Sequence, residues 1–150
     1  MLRDASLIPL SHQHHNGLAL CVMTRRSMAA DTTAENVARL AQRVVDRYEL
    51  ELVNHFEIEE QVLFPACGGT PEIAALISEL IAEHRGLEAL VEQCRSEPSP
   101  GLLEEFCTLL SSHIRREERE LFEVIQQTLP RETLDAAGAE IDRRAVRICL

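Results

Sequence analysis

The chain has no tryptophan and a single tyrosine, and aromatic residues make up only 3% of its 150 positions. Val, Ile and Thr never cluster in strict alternation, so nothing in it asks for a half-buried sheet. No apolar run approaches the roughly 20 residues that a membrane span needs. Basic side chains are outnumbered: 15 Lys and Arg stand against 25 Asp and Glu, for a net charge of −10. That balance argues against a nucleic-acid or anionic-membrane surface. The five cysteines, Cys21, Cys67, Cys94, Cys107 and Cys149, are odd in number and form no CxxC. Neither a disulfide framework nor a Cys-based zinc site is expected, and they read as small apolar interior residues. Met1 to Ser6 show no apolar stretch with a cleavage site, so a cytoplasmic setting is the default expectation.

Hydrophobic residues are 45% and charged residues 27% of the chain, a balance that suits one globular domain over 1–150. Apolar positions recur three and four apart, the helical period. Pro9 opens a first helix that reaches about Ala30. Asp31 or Thr32 caps a second, with Thr32 and Glu35 in capping-box spacing, and it runs to Phe64 before Pro65 and Gly68-Gly69. Thr70-Pro71 starts a third that ends near Arg95, and the turn Glu97-Pro98-Ser99-Pro100-Gly101 leads into a fourth that ends near Leu129. A short fifth, about Glu132 to Arg143, carries Ile141, with Val146 and Ile148 beyond it, to cover a bundle end or a second subunit. Long helices joined by short loops must be antiparallel neighbours. The expected fold is all-α: an up-down-up-down four-helix bundle over about 9–128, with the short helix and tail in 130–150.

An internal repeat carries the functional reading. Residues 55–64 are HFEIEEQVLF and residues 113–122 are HIRREERELF, sharing H-x-x-x-E-E-x-x-L-F. The helix before each copy holds a His three residues ahead of a Leu: His15 with Leu18, His84 with Leu87. Residues four apart share a helix face, about 6 Å apart along the axis. His55 with Glu59, and His113 with Glu117, are such pairs. Each lies in an apolar stripe, Leu52 to Val62 and Phe106 to Leu121, so both pairs face the core. A buried group of four imidazoles and two carboxylates is unfavourable unless a cation sits within it. Two cations suit these numbers: His15 and His55 on one, His84 and His113 on the other, Glu59 and Glu117 bridging. Glu60 and Glu118, about 100° further round their helices, are expected at the rim. Iron, manganese and zinc all accept such donors, and open coordination positions favour chemistry or sensing over a purely structural ion.

The strings Leu10-Ser11-His12-Gln13-His14-His15-Asn16-Gly17-Leu18 and His55-Phe56-x-x-Glu59-Glu60-x-x-Leu63-Phe64-Pro65 resemble the hemerythrin-like family, the HHE cation-binding domain. The likeness covers about 9–128 and looks closest to bacterial members. It implies a non-haem di-iron centre with His15, His55, Glu59, His84, His113 and Glu117 as ligands. His14 stays open as an alternative to His15: the spacing to Leu18 favours His15, the spacing back to Leu10 favours His14. Oxygen-carrying relatives have a second His four residues along helix 3. Here that position is Glu88, which becomes a possible seventh ligand.

The leading expectation is a metal-binding protein that senses or handles O2, NO, peroxide or iron itself, with a diatomic molecule or peroxide as its small partner. The alternatives are a di-iron peroxidase or oxidase, and a bundle with a structural zinc site. Glu-x-x-His pairs, the mark of ferritin-like oxygenases, are absent. Neither a protein partner nor an oligomeric state follows from the residues.

Overall fold

The structure, a computed structural model, describes residues 2–148, so Cys149 lies outside the described residues. Among the described residues there is no strand. A 3-10 turn at Ala5–Leu7 leads into α1, Ile8–Ala30. Helix α2 is one unbroken rod over 34–66, α3 is Pro71–Ser96, α4 is a rod over 100–128, and α5 is Arg131–Arg144. Their starts follow local chemistry. Thr70 and Ser99 accept from the backbone N–H groups of Ile73 and Leu102, with Pro71 and Pro100 at the first helical position. The cap of α2 falls one residue later than Thr32. Thr33 takes it, accepting from Asn36, while the Asp31 side chain is already engaged by the Thr33 N–H at 2.9 Å.

Helix α1 packs on α4 and α2, and α3 packs on the same two, which is the expected four-helix arrangement. The interior is divided in two. One hydrophobic cluster holds Leu20, Leu52, Phe56, Leu87, Leu110 and Ile114. The other holds Leu10, Ile58, Leu63, Leu80, Leu121 and Phe122. Where the two sets meet, every rod buries polar side chains, His14, His55 with Glu59, His84, and His113 with Glu117, so a hydrophilic layer crosses the middle of the bundle. The rods come close beside it: a methyl added at Gly17 would lie 3.1 Å from Ile114 Cδ1.

Two wide turns mark this layer. The N–H of Phe64 bonds back five residues to the Glu59 carbonyl, and the N–H of Phe122 does the same to Glu117. Both are π turns at the same place in the repeat, and such turns gather at functional sites. The extra residue they take up also shifts the interior face. Leu63 is buried, whereas Val62, expected on the stripe, is half-buried. A third π turn, Tyr48–Leu52, lies one turn before His55.

Helix α5 closes one end, where Leu134 and Ile141 join the second cluster; Val146 is exposed and Ile148 half-buried. It lies against the N-terminal turn, and a Cβ at Gly138 would sit 2.5 Å from Ser6 Cβ and 2.8 Å from Ser6 Cα. Backbone cannot yield as a flexible side chain does. Gly138→Ala should therefore cost about 1–3 kcal/mol, read as a lower denaturation midpoint in urea. An unchanged midpoint would show that α5 is not held at this contact. No helix among the described residues is long and apolar enough to cross a membrane.

Candidate metal centre

The polar layer is made by His14, His55, Glu59, His84, His113 and Glu117, each at most 3% exposed. Every imidazole turns Nε2 inward. Glu59 Oε1 stands midway between two of them, 3.2 Å from His55 Nε2 and 3.2 Å from His84 Nε2. Glu117 spreads its two oxygens: Oε2 is 2.9 Å from His14 Nε2 and 3.8 Å from His55 Nε2. Its Oε1 is 2.8 Å from His113 Nε2 and 3.8 Å from His84 Nε2. Two donor sets result, His14-His55-Glu59-Glu117 and Glu59-His84-His113-Glu117, each with ligand atoms within 4.8 Å of one another. They share both carboxylates.

The outward Nδ1 atoms are held in a ring that runs round the bundle. His55 on α2 meets Gln13 Oε1 of α1 at 2.8 Å, and His84 on α3 meets Glu60 Oε2 of α2 at 2.7 Å. His113 on α4 meets Glu83 Oε1 of α3 at 2.9 Å, and His14 on α1 faces Glu118 Oε1 of α4 at 3.6 Å. Behind each acid stands an arginine: Arg85 on Glu60, Arg116 on Glu83 at 3.0 Å, Arg3 on Glu118 at 3.3 Å. A carboxylate that accepts the Nδ1 proton leaves the Nε2 lone pair pointing into the cluster, the form that binds a metal. Phe56 stacks on His84 at 4.0 Å, and Phe122 on His14 at 5.4 Å, so the rings have little freedom to turn.

Inside, the lone pairs have no protein partner. His55, His84 and His113 Nε2, both Glu59 oxygens and Glu117 Oε1 are buried without a hydrogen bond. So many unmet acceptors in one place would be costly for any fold. The charges conflict as well. Burial, and then the neighbouring Glu117, drives the Glu59 carboxyl well above its usual range. Burial lowers His55 to about 3. Burial works against charge on His113 too, but Glu117 and Glu83 outweigh it and raise that imidazole to about 9. Burial works against charge on Glu117, but His113, Glu59 and His14 together outweigh it and hold that carboxyl well below its usual range. The group calls for positive charge at its centre, and the buried clusters fit a metal-binding site.

The family model of the hemerythrin HHE cation-binding domain matches residues 7–125. The chain belongs to that family. No curated protein and no solved structure matches it.

Within this HHE domain the structure gathers five of the six residues first singled out. The sixth is a correction: His15 is exposed and His14 takes its place. The buried residues of α1 include Leu10, His14, Gly17, Cys21, Thr24 and Met28 at three-four spacing, with Gln13, Asn16 and Leu20 buried beside them, whereas Leu18 is only half-buried. Glu88 is not drawn in either. It turns outward to Arg85 at 2.8 Å. Glu60 and Glu118 lie at the rim, as read. Gln13 and Glu83 were missed, although each directly precedes a cluster histidine, and one residue back on a helix points toward the adjacent rod.

Proposed function

We propose that this HHE domain holds two metal ions, iron in both positions, and that the pair senses or handles O2, NO or peroxide. One observation carries the reading: two donor sets share both carboxylates, and Glu117 offers a separate oxygen to each histidine pair. Each ion would have two imidazoles and two bridging carboxylates. That leaves coordination positions free, and mixed N and O donors suit iron while admitting manganese and zinc. The chain's own part is to hold His55, His84 and His113 as Nδ1–H tautomers, to keep each Nε2 aimed inward, and to wall the centre with Phe56 and Phe122. Bound iron would supply redox chemistry toward a small ligand.

A groove of about 400 Å³ between α2 and α3 is lined by Tyr48, Glu60, Arg85 and Phe56, whose ring stacks on His84. The four buried cysteines are free thiols, which agrees with a reducing, cytoplasmic setting.

Protein expressed with iron and purified should carry two irons per chain and show a visible absorption that changes with O2, NO or peroxide. Two zinc ions and no response to any of the three would overturn the reading. The helix-1 ligand can be checked in the same preparations. His14→Ala should lose at least one ion, and His15→Ala should keep both. The reverse pattern would mean that α1 is rotated from the position described above.

A further inference from the structure

Three of the four imidazoles are backed by an acid and an arginine; His55 is backed by a neutral relay that ends in the C-terminal tail. Gln13 Oε1 receives the His55 Nδ1 proton at 2.8 Å. The other end of that amide, Nε2, donates to Asn54 Oδ1 at 3.0 Å and to the Val146 carbonyl at 3.3 Å. Asn54 in turn accepts from the Val146 N–H at 3.0 Å and donates to the Arg144 carbonyl at 3.0 Å. A backbone carbonyl only accepts and a backbone N–H only donates, so the tail fixes which way both amides face. With Gln13 turned this way, its oxygen meets His55, and the ring must carry its proton on Nδ1. Asn16, one turn along from Gln13, also reaches the tail, donating to the Ile148 carbonyl at 3.4 Å and to Glu51 at 2.8 Å.

We propose that the tail beyond α5 is a working part of the metal centre: through Asn54 and Gln13 it sets the proton and aim of His55, and it makes the two ions unequal. This rests on the two-ion reading above. An amide oxygen draws on the Nδ1 proton less than a carboxylate does, so His55 is the weaker donor of the four. On its own ion it is joined by His14, whose acid stands off at 3.6 Å, against 2.7 and 2.9 Å for His84 and His113. The His14-His55 ion is therefore the more loosely held, and the tail controls it. Gln13 and Asn54 are positioning residues, since they act through His55.

The test compares the full chain with one ending at Arg143, which removes the Arg144 carbonyl as well as Val146, using zinc as a diamagnetic probe and ¹⁵N NMR of the imidazole rings. In the metal-free full chain, His55 should show a slowly exchanging Nδ1 proton and a bare Nε2. In the shortened chain that proton should exchange at least ten times faster. One of two zinc ions should bind about ten to a hundred times more weakly, the range for losing a partner behind a metal ligand. The other ion should be unaffected. Gln13→Leu in the full chain should reproduce both effects, which keeps the test in force should the shortened chain not fold. Gln13→Glu placed in the shortened chain should restore the slow proton and the zinc affinity, because a carboxylate accepts whichever way it is turned. Unchanged His55 exchange and two unchanged zinc affinities after shortening would overturn the proposal, as would failure of Gln13→Glu to restore them. If the full chain bound neither zinc nor iron, the two-ion reading would fall, while the ring-proton comparison would still decide whether the tail sets His55.

Discussion

Glu117→Gln should take the protein from two bound ions to one or none. The reason lies in the split of its carboxylate. Oε2 serves the His14-His55 pair and Oε1 serves the His84-His113 pair, at 2.9 Å and 2.8 Å from their nearest imidazoles. A glutamine can present its oxygen to only one of these pairs. The other receives an NH2 group, which repels a cation and has no lone pair to give. A four-donor zinc site binds with about 10–16 kcal/mol, so each donor accounts for roughly 3 kcal/mol, or two orders of magnitude in affinity. Glu59→Gln should behave differently. Its Oε1 lies 3.2 Å from both His55 and His84, so an amide oxygen can stay between the ions and weaken both about equally. Metal analysis after gel filtration, with circular dichroism to confirm the helices, reads out each case. Glu117→Gln with two ions at full affinity would show that this side chain does not bridge.

Stripping the metal should reverse the sign of the protein's pH dependence. Loaded protein gains stability as pH rises, because the ions bind deprotonated carboxyl and imidazole groups. Metal-free protein should lose stability between about pH 6.5 and 9, the unfolded and folded values for His113. A group whose folded pKa is raised contributes fully below its unfolded pKa, and that contribution fades as pH climbs through the folded one. Glu59, also raised, adds to the same trend above its ordinary value of 4.5. For His113 the change is on the order of 3 kcal/mol. Each ion, at a thousandfold excess over its Kd, adds about 4 kcal/mol, or roughly 10 °C in Tm for a chain of this size. Thermal melts at pH 6.5 and 9, with and without chelator, test both statements. Parallel pH trends in the two forms would show that protons and metal do not compete for this layer.

Most of the architecture was legible because helix period, proline and cap residues act locally. Thr70-Pro71 and Ser99-Pro100 start their helices wherever the rest of the chain goes. The inward pairs of α2 and α4 were legible for a related reason: large apolar residues flank them and mark the face. On α1 that marker fails. Gly17 and Thr24 are interior positions without bulk, so Leu18 drew attention to the wrong side and to His15. The π turns were not readable either, since an i+5 hydrogen bond leaves no trace in composition; they moved the stripe from Val62 to Leu63. Gln13 and Glu83 carry no such marker, because their partners sit on other rods. That pairing exists only once the bundle has closed.

The ring of outward contacts has a mechanical consequence. Each rod supplies one imidazole and also steadies the imidazole of the next, α1 to α2, α2 to α3, α3 to α4 and α4 back to α1. Swinging any single helix away would thus spoil two coordination corners, its own and its neighbour's. Ion release and bundle opening would then occur together, as one cooperative event rather than as a leak from an intact shell.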